Sequence, residues 1–271
     1  MSEQPAPVLV AGTHELVNVE GPDARRFLQG LISQDVDGLA AGVARRSFLL
    51  SPQGKLRALL WVFADADRIG LITDAGIGER VVADLARFKI RVKVTISPPV
   101  PVWQLIGSGA TSFATAIAAP LGDRERAFVT KPIDSLEVLS QEEWDLLRIE
   151  EAEPRMDVDV DERTIPQESG LVPESVSFSK GCYLGQELVS RIDTRGHVNR
   201  HLRGLELPAA VLVPARVAHN GEDVGEMTSI SRRSPDDYVA LAMVHRKVEP
   251  GAVVEVGGQP ARVRKLPVSA D

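Results

Sequence analysis

Along the first half of the chain, apolar positions change rhythm between strand and helix. Leu16–Val19 is a short apolar run that predicts a strand. Gly21–Pro22–Asp23 follows as a helix start, with Pro in the first turn, where its missing N–H costs nothing. Ala24, Phe27, Leu28, Leu31 and Ile32 then share one helical face, with Arg25, Arg26 and Gln29 on the other. Ser47–Leu50 and Leu56–Phe63 predict two strands joined through Ser51–Pro52–Gln53–Gly54, a hairpin. Ile69–Thr73 predicts another strand, and Ile77, Val81, Val82, Leu85 and Phe88 the apolar face of a second helix. Ile90, Val92, Val94 and Ile96 alternate with Arg91, Lys93 and Thr95, the pattern of a half-buried strand, which Ser97–Pro101 breaks.

The middle is less regular. Phe113–Ala119 predicts a short helix, Asp134–Leu139 a strand, and Trp144–Glu151 a helix. Met156–Glu162 holds Asp157, Asp159, Asp161 and Glu162 with no basic residue. It lacks the glycine and distal glutamate of an EF-hand loop, so a solvated loop is expected rather than a cation site. From about His201 the pattern becomes all-β, with runs at Leu202–Leu207, Ala215–Ala218, Glu226–Ser231, Tyr238–Val244, Val253–Val256 and Ala261–Leu266. Asn220–Gly221 and Gly257–Gly258 are hairpin turns of the kind that needs positive φ. Short strands at this spacing predict a small barrel, with a domain boundary near His197–Leu202.

Composition narrows the function classes. A chain of 271 residues exceeds one ordinary core and fits two or three domains. The net charge of −7 argues against broad electrostatic binding of nucleic acid, so no direct nucleic-acid partner is expected. The opening MSEQPAPVLV lacks the basic and apolar stretches of a signal peptide, and no apolar run reaches the length of about 20 residues that spans a bilayer. A cytoplasmic protein without a membrane partner is expected.

The single cysteine lies in KGCYLGQE, Lys180–Glu187, and has no partner for an intrachain disulfide, which fits a reducing compartment. Gly181 gives the backbone freedom. Lys180 places a cation near Cys182, and the residues up to Val189 can open a helix. Both features favour a thiolate, which makes Cys182 a candidate working nucleophile. The alternative is a small buried hydrophobe. His197 and His201 have a zinc-like spacing, but Gly196, the absence of a following glutamate and the strand beyond them argue against a metal. Between Arg191 and Arg203 lie Arg195, Arg200 and both histidines, which form either a solvated face or an anion-binding rim.

KGCYLGQE resembles the signature of the YgfZ family, the folate-binding relatives of the glycine-cleavage aminomethyltransferase. RTIPQESGL (Arg163–Leu171), LRIEEAEPR (Leu147–Arg155) and FLQGLISQDVDGLAAG (Phe27–Gly42) resemble further segments of that superfamily. The resemblance implies an α+β, three-domain ring of the aminomethyltransferase folate-binding fold with a small C-terminal β-barrel. In it, residues 1–200 form the folate-binding region, as two intertwined α+β subdomains split near 50 and 130, and 201–271 form the barrel. It implies tetrahydrofolate as ligand, in polyglutamylated form, and a role in assembly or repair of iron–sulfur proteins, with those proteins or their assembly machinery as partners. An indirect role in tRNA modification follows from that.

The resemblance also marks residues. Cys182 is the working thiol, set in a motif of Lys180, Gly181, Tyr183, Gly185, Gln186 and Glu187. Glu137, Arg148, Glu150, Arg191, Arg195 and Arg200 are candidate folate contacts. The transferases carry an acidic residue in the hairpin after the first helix, a few positions past its glycine. Here the corresponding Gly54–Phe63, GKLRALLWVF, has no carboxylate. Aminomethyl transfer or demethylation is therefore an alternative lacking its acid–base group, and a non-enzymatic scaffold is a further one.

Overall fold

The computed structural model describes residues 6–65 and 68–266. The chain runs through β1 (Val8–Glu20), α1 (Ala24–Gln29), β2 (Arg45–Leu50), β3 (Leu56–Asp65), β4 (Arg68–Asp74), α2 (Gly78–Ala86), β5 (Thr95–Ile96), β6 (Val100–Ile106), β7 (Ile117–Ala118) and β8 (Arg126–Val129). It continues through α3 (Gln141–Glu150), α4 (Val172–Ser175), α5 (Gln186–Arg195), β9 (Arg200–Leu207), β10 (Ala215–His219), β11 (Glu222–Ser234), β12 (Asp237–His245), β13 (Val253–Val256) and β14 (Gln259–Arg264). Two compact units result, Met1–Leu139 with Leu171–Arg191, and Ser140–Gly170 with Ile192–Asp271.

The first unit is built on an antiparallel sheet of order β2-β3-β4-β1-β6-β8-β7, with β5 added to the end of β1. Its core joins Leu16, Trp61, Phe63, Ile72, Val102 and Phe128. Arg126 is fully buried there. Its guanidinium carbon lies 4.7 Å from the Trp61 ring centroid and 5.1 Å from that of Phe128, and Nε donates to the Ala119 carbonyl at 2.7 Å. Stacking and a hydrogen bond are what make a buried guanidinium tolerable.

The second unit centres on a closed barrel of order β10-β11-β12-β9-β14-β13, filled by Leu205, Leu207, Val217, Met227, Ala242, Val256 and their neighbours. Asn220, Gly221, Gly257 and Gly258 all have positive φ, as the two hairpin turns required. The helix expected from Trp144 starts at Gln141 instead, because Ser140 and Glu143 form a reciprocal capping box. Asp159 departs from the solvated loop expected for Met156–Glu162. It is buried and accepts hydrogen bonds from Arg148, the Arg155 amide, Thr228 and Ser229.

Other local expectations are corrected. The alternation from Ile90 to Ile96 forms a strand only at Thr95–Ile96, since Arg91 turns left-handed at φ 56° and Ile90 is 72% exposed. The break expected at Ser97–Pro101 follows β5, which ends at Ile96, and its last two residues already open β6, with Pro101 opposite Glu15. Phe113–Ala119 is not helical: a 3-10 turn occupies Ala110–Ser112, and Ile117–Ala118 pairs with β8. Asp134–Leu139 contributes one bridge, Val138 to Leu9, in place of a strand. The first helix stops at Gln29, and Ile32 bridges Leu49 while staying buried.

Candidate functional site

The signature segment of Cys182 is tied to the segment after α1, far away in sequence. Leu184 N donates to the Gly30 carbonyl at 3.0 Å, and Ser177 N to the Ser33 carbonyl at 3.0 Å. Ser33 Oγ donates to the Ser175 carbonyl, and Gln34 Nε2 to the Glu174 carbonyl. Lys180 Nζ donates to the Ile32 and Gln34 carbonyls, each at 2.8 Å, across 148 and 146 residues of chain. FLQGLISQ and KGCYLGQE therefore form one structural unit, and the hydrogen bonds account for backbone groups that a buried loop must satisfy.

The hairpin turn of β2 and β3 closes this unit from another side. Gly185 has φ 79°, and a Cβ there would lie 2.5 Å from the Ser51 carbonyl oxygen. Gly54 has φ 78°, and its Cβ would lie 2.6 Å from Leu188 Cβ and 2.9 Å from the Gly185 carbonyl oxygen. Both positions need glycine for conformation and for approach. Gly181 does not: it is exposed, and a Cβ would meet nothing within 4 Å. The glycine that shapes the signature is therefore Gly185.

Within the loop, Gln186 Oε1 accepts from Tyr183 N at 3.1 Å and organises the turn into α5. Tyr183 is buried, its hydroxyl has no hydrogen-bond partner among the described residues, and burial raises its pKa to about 12. The Lys180 ammonium lies 5.3 Å from the Tyr183 ring centroid. Burial pushes its pKa down to about 8, against the opposing pull of Asp35 and Asp37.

Cys182 is exposed. It borders a groove of about 330 Å³ with Pro22, Arg25, Arg26, Gln29, Gly30 and Asp37. Neither expected activating feature is built around the sulfur. The helix begins only at Gln186, beyond Tyr183, Leu184 and Gly185, and the Lys180 ammonium is held by two carbonyls. The buried-hydrophobe alternative does not hold either. Glu187 is exposed in the first turn of α5.

The candidate folate contacts do not assemble a pocket within either unit. Arg148 is buried at 2% exposure, and its donors go to Asp145, Asp159 and Ser229. It ties α3 to the barrel, which corrects its assignment as a ligand contact. Glu150 pairs with Arg233 at 2.8 Å and Arg200 with Glu168 at 3.2 Å, so both act first as structural partners. Glu137 is exposed on a loop outside any strand, its carbonyl accepting from Leu9 N. Arg191 and Arg195 are exposed on α5, one turn apart and on one face.

The hairpin expected to lack an acid carries none of its own. Asp84 reaches it from α2, and Arg57 engages that carboxylate twice, at 2.6 and 3.2 Å. Sequence reading missed Asp84 because it lies far along the chain. It also missed Arg25, Gln29 and Asp37 beside Cys182, though all three stand in or next to the quoted FLQGLISQDVDG segment.

The fold is that of an aminomethyltransferase. The glycine cleavage system aminomethyltransferase T of Bartonella henselae superposes with a TM-score of 0.83 over 97% of this chain and 86% of its own, at 19% identity. In sequence the chain is similar to proteins of another designation. It is 24% identical, over 94% of its length and 91% of the relative's, to the tRNA-modifying protein YgfZ of Escherichia coli O45:K1. A similar relative of the same designation occurs in Shigella dysenteriae, at 24% identity over 89% of this chain. An uncharacterized protein of Haemophilus influenzae is 27% identical over 68% of the chain. No protein-family profile matches.

Proposed function

We propose that this protein is a folate-binding factor that supports assembly or repair of iron–sulfur proteins, and through them tRNA modification, with Cys182 as its working thiol. The observation that carries this reading is the presentation of Cys182. The loop around it is fastened by side-chain and backbone hydrogen bonds, yet the cysteine itself is exposed beside a groove carrying Arg25 and Arg26. A rigid loop holding an exposed thiol serves contact with another molecule better than it serves packing. The designation of the Escherichia coli relative and the aminomethyltransferase fold support the tRNA and folate parts of the reading. The paired exposed arginines Arg191 and Arg195 are suited to the carboxylates of a polyglutamyl tail. No step of chemistry is assigned to the folate, because the named candidates do not form a pterin pocket within either unit.

The test is complementation of a deletion strain. Cys182→Ser should match the wild-type unfolding midpoint but restore neither iron–sulfur enzyme activity nor the tRNA modifications that depend on it. Full restoration by Cys182→Ser removes the thiol from the proposal. Calorimetry with mono- and triglutamyl tetrahydrofolate addresses the ligand separately: the triglutamyl form should bind more tightly, and the difference should shrink with salt. Absence of binding overturns the folate part.

A further inference from the structure

The second unit holds a larger cavity than the groove at Cys182, and neither the signature motif nor the proposed function uses it. Its volume is about 650 Å³, within the usual range for small-molecule sites. It lies at one mouth of the barrel. Along β9, residues on one face alternate with those on the other. Leu205 and Leu207 fill the barrel core, and Arg203 and His201 continue that same inner row toward the mouth. Their cross-strand neighbours on β12 are Ala242 and Val244, also core residues. An apolar row thus turns into a cation and an imidazole where the barrel opens.

Other elements bring the same chemistry to the opening. His197 comes from the segment after α5, and His245, Arg246 and Lys247 come from the end of β12 and the turn beyond it. Asp193 and Glu249 supply the facing carboxylates. Lys247 is already paired with Glu222, so Arg203 and Arg246 match the two facing carboxylates, and any protonated imidazole makes the opening net positive. Arg203 is the telling residue. It is half-buried, and it has no side-chain hydrogen bond or salt bridge among the described residues, only the longer-range attraction of Glu249. A partly desolvated guanidinium without a bonded counter-charge is costly to keep unless a ligand completes it. The three imidazoles do not form a metal site, since no group of metal-holding side chains is present among the described residues.

We propose that the barrel mouth is a second binding site, for a small anion carrying two or more negative charges, with Arg203, Arg246 and the imidazoles of His197, His201 and His245 as its contacts. The ligand's charge could sit on phosphoryl groups or on carboxylates, and both match guanidinium donors. The site is pH-dependent. Burial, followed by Arg203, holds His201 below its usual range, Arg246 adds to this, and Glu249 and Glu168 oppose it. A bound anion stabilises the imidazolium, so His201 takes up a proton on binding and affinity rises as the pH falls.

The test is a titration of the full chain, labelled at histidine, followed by NMR with pyrophosphate, citrate and chloride as separate probes. The imidazole signals of His197, His201 and His245 should move with pyrophosphate, citrate or both, and not with chloride at equal ionic strength. Response to pyrophosphate alone assigns a phosphoryl ligand, to citrate alone a polycarboxylate, and to both a site read by charge and size. Arg203→Gln and, independently, Arg246→Gln should weaken binding about tenfold, the loss of one charge-assisted hydrogen bond. Arg232→Gln, on β11 away from the mouth, should leave it unchanged. No movement with either polyanion at tens of millimolar overturns the proposal. So does binding that survives both mouth substitutions in proteins shown to be folded.

Discussion

At the scale of single residues, the loop around Cys182 contains two side chains whose burial has measurable consequences. The Tyr183 hydroxyl is buried without a partner among the described residues. Leaving a polar group in that state costs about 1–3 kcal/mol. Tyr183→Phe should therefore be neutral or stabilising, by about 1 kcal/mol in urea unfolding. A marked loss would show that the hydroxyl is satisfied. Lys180 binds its proton less tightly in the folded protein, at about 8, than the unfolded chain does near 10.5. Its contribution to stability is least favourable below about 8 and improves as the pH rises through that interval. Tyr183 acts oppositely: its contribution is present below the ordinary value of 10.0 and is lost as the pH approaches about 12. Thermal unfolding of Lys180→Met across pH 7 to 10 should lack the rise seen in the wild type.

At the scale of elements, the contact between the β2–β3 turn and the start of α5 rests on two glycines that each need left-handed backbone. Gly54→Ala and Gly185→Ala should each destabilise by at least about 2 kcal/mol, because strain adds to collision with backbone. Gly181→Ala should change stability little, and a large loss there would reverse the assignment of the shaping glycine. In the other unit, Arg148→Leu leaves Asp159 buried beside Thr228 and Ser229 without its cation. The expected cost is about 3–5 kcal/mol, read from the shift in denaturant midpoint.

Much of this level was legible beforehand. Short apolar runs and the Asn220–Gly221 and Gly257–Gly258 turns announced the barrel, since each of those turns joins two strands that pair with each other. The strand expected at Ile90–Ile96 was misread because apolar alternation does not reveal a left-handed residue such as Arg91. The candidate site was legible as residues but not as a place. FLQGLISQ and KGCYLGQE could each be marked, yet nothing local says that Lys180 reaches Ile32. Arg148 was misassigned for the same reason: its partners Asp159 and Ser229 come from distant segments.

At the scale of the whole molecule, the likeness in fold to an aminomethyltransferase coexists with a Gly54–Phe63 segment that has no carboxylate. Asp84, which approaches it from α2, is held by Arg57. The purified protein should release no ammonia from an aminomethyl-lipoyl donor in the presence of tetrahydrofolate, since a positioned acid or base typically contributes about 10²–10⁴-fold. Turnover near that of an authentic transferase would restore the enzymatic reading. The chain path has a further consequence, in the order of synthesis. The first unit is left open at Leu139 and finished only by Leu171–Arg191, while the second begins with Ser140–Gly170 before its barrel strands exist. Domains emerging from a ribosome fold as they are completed. The carbonyls of Ile32 and Gln34 must therefore wait, exposed on the nascent chain, until Lys180 emerges. A ribosome stalled before that point would carry an incomplete first unit, and this chain would then be most open to chaperone capture or cleavage.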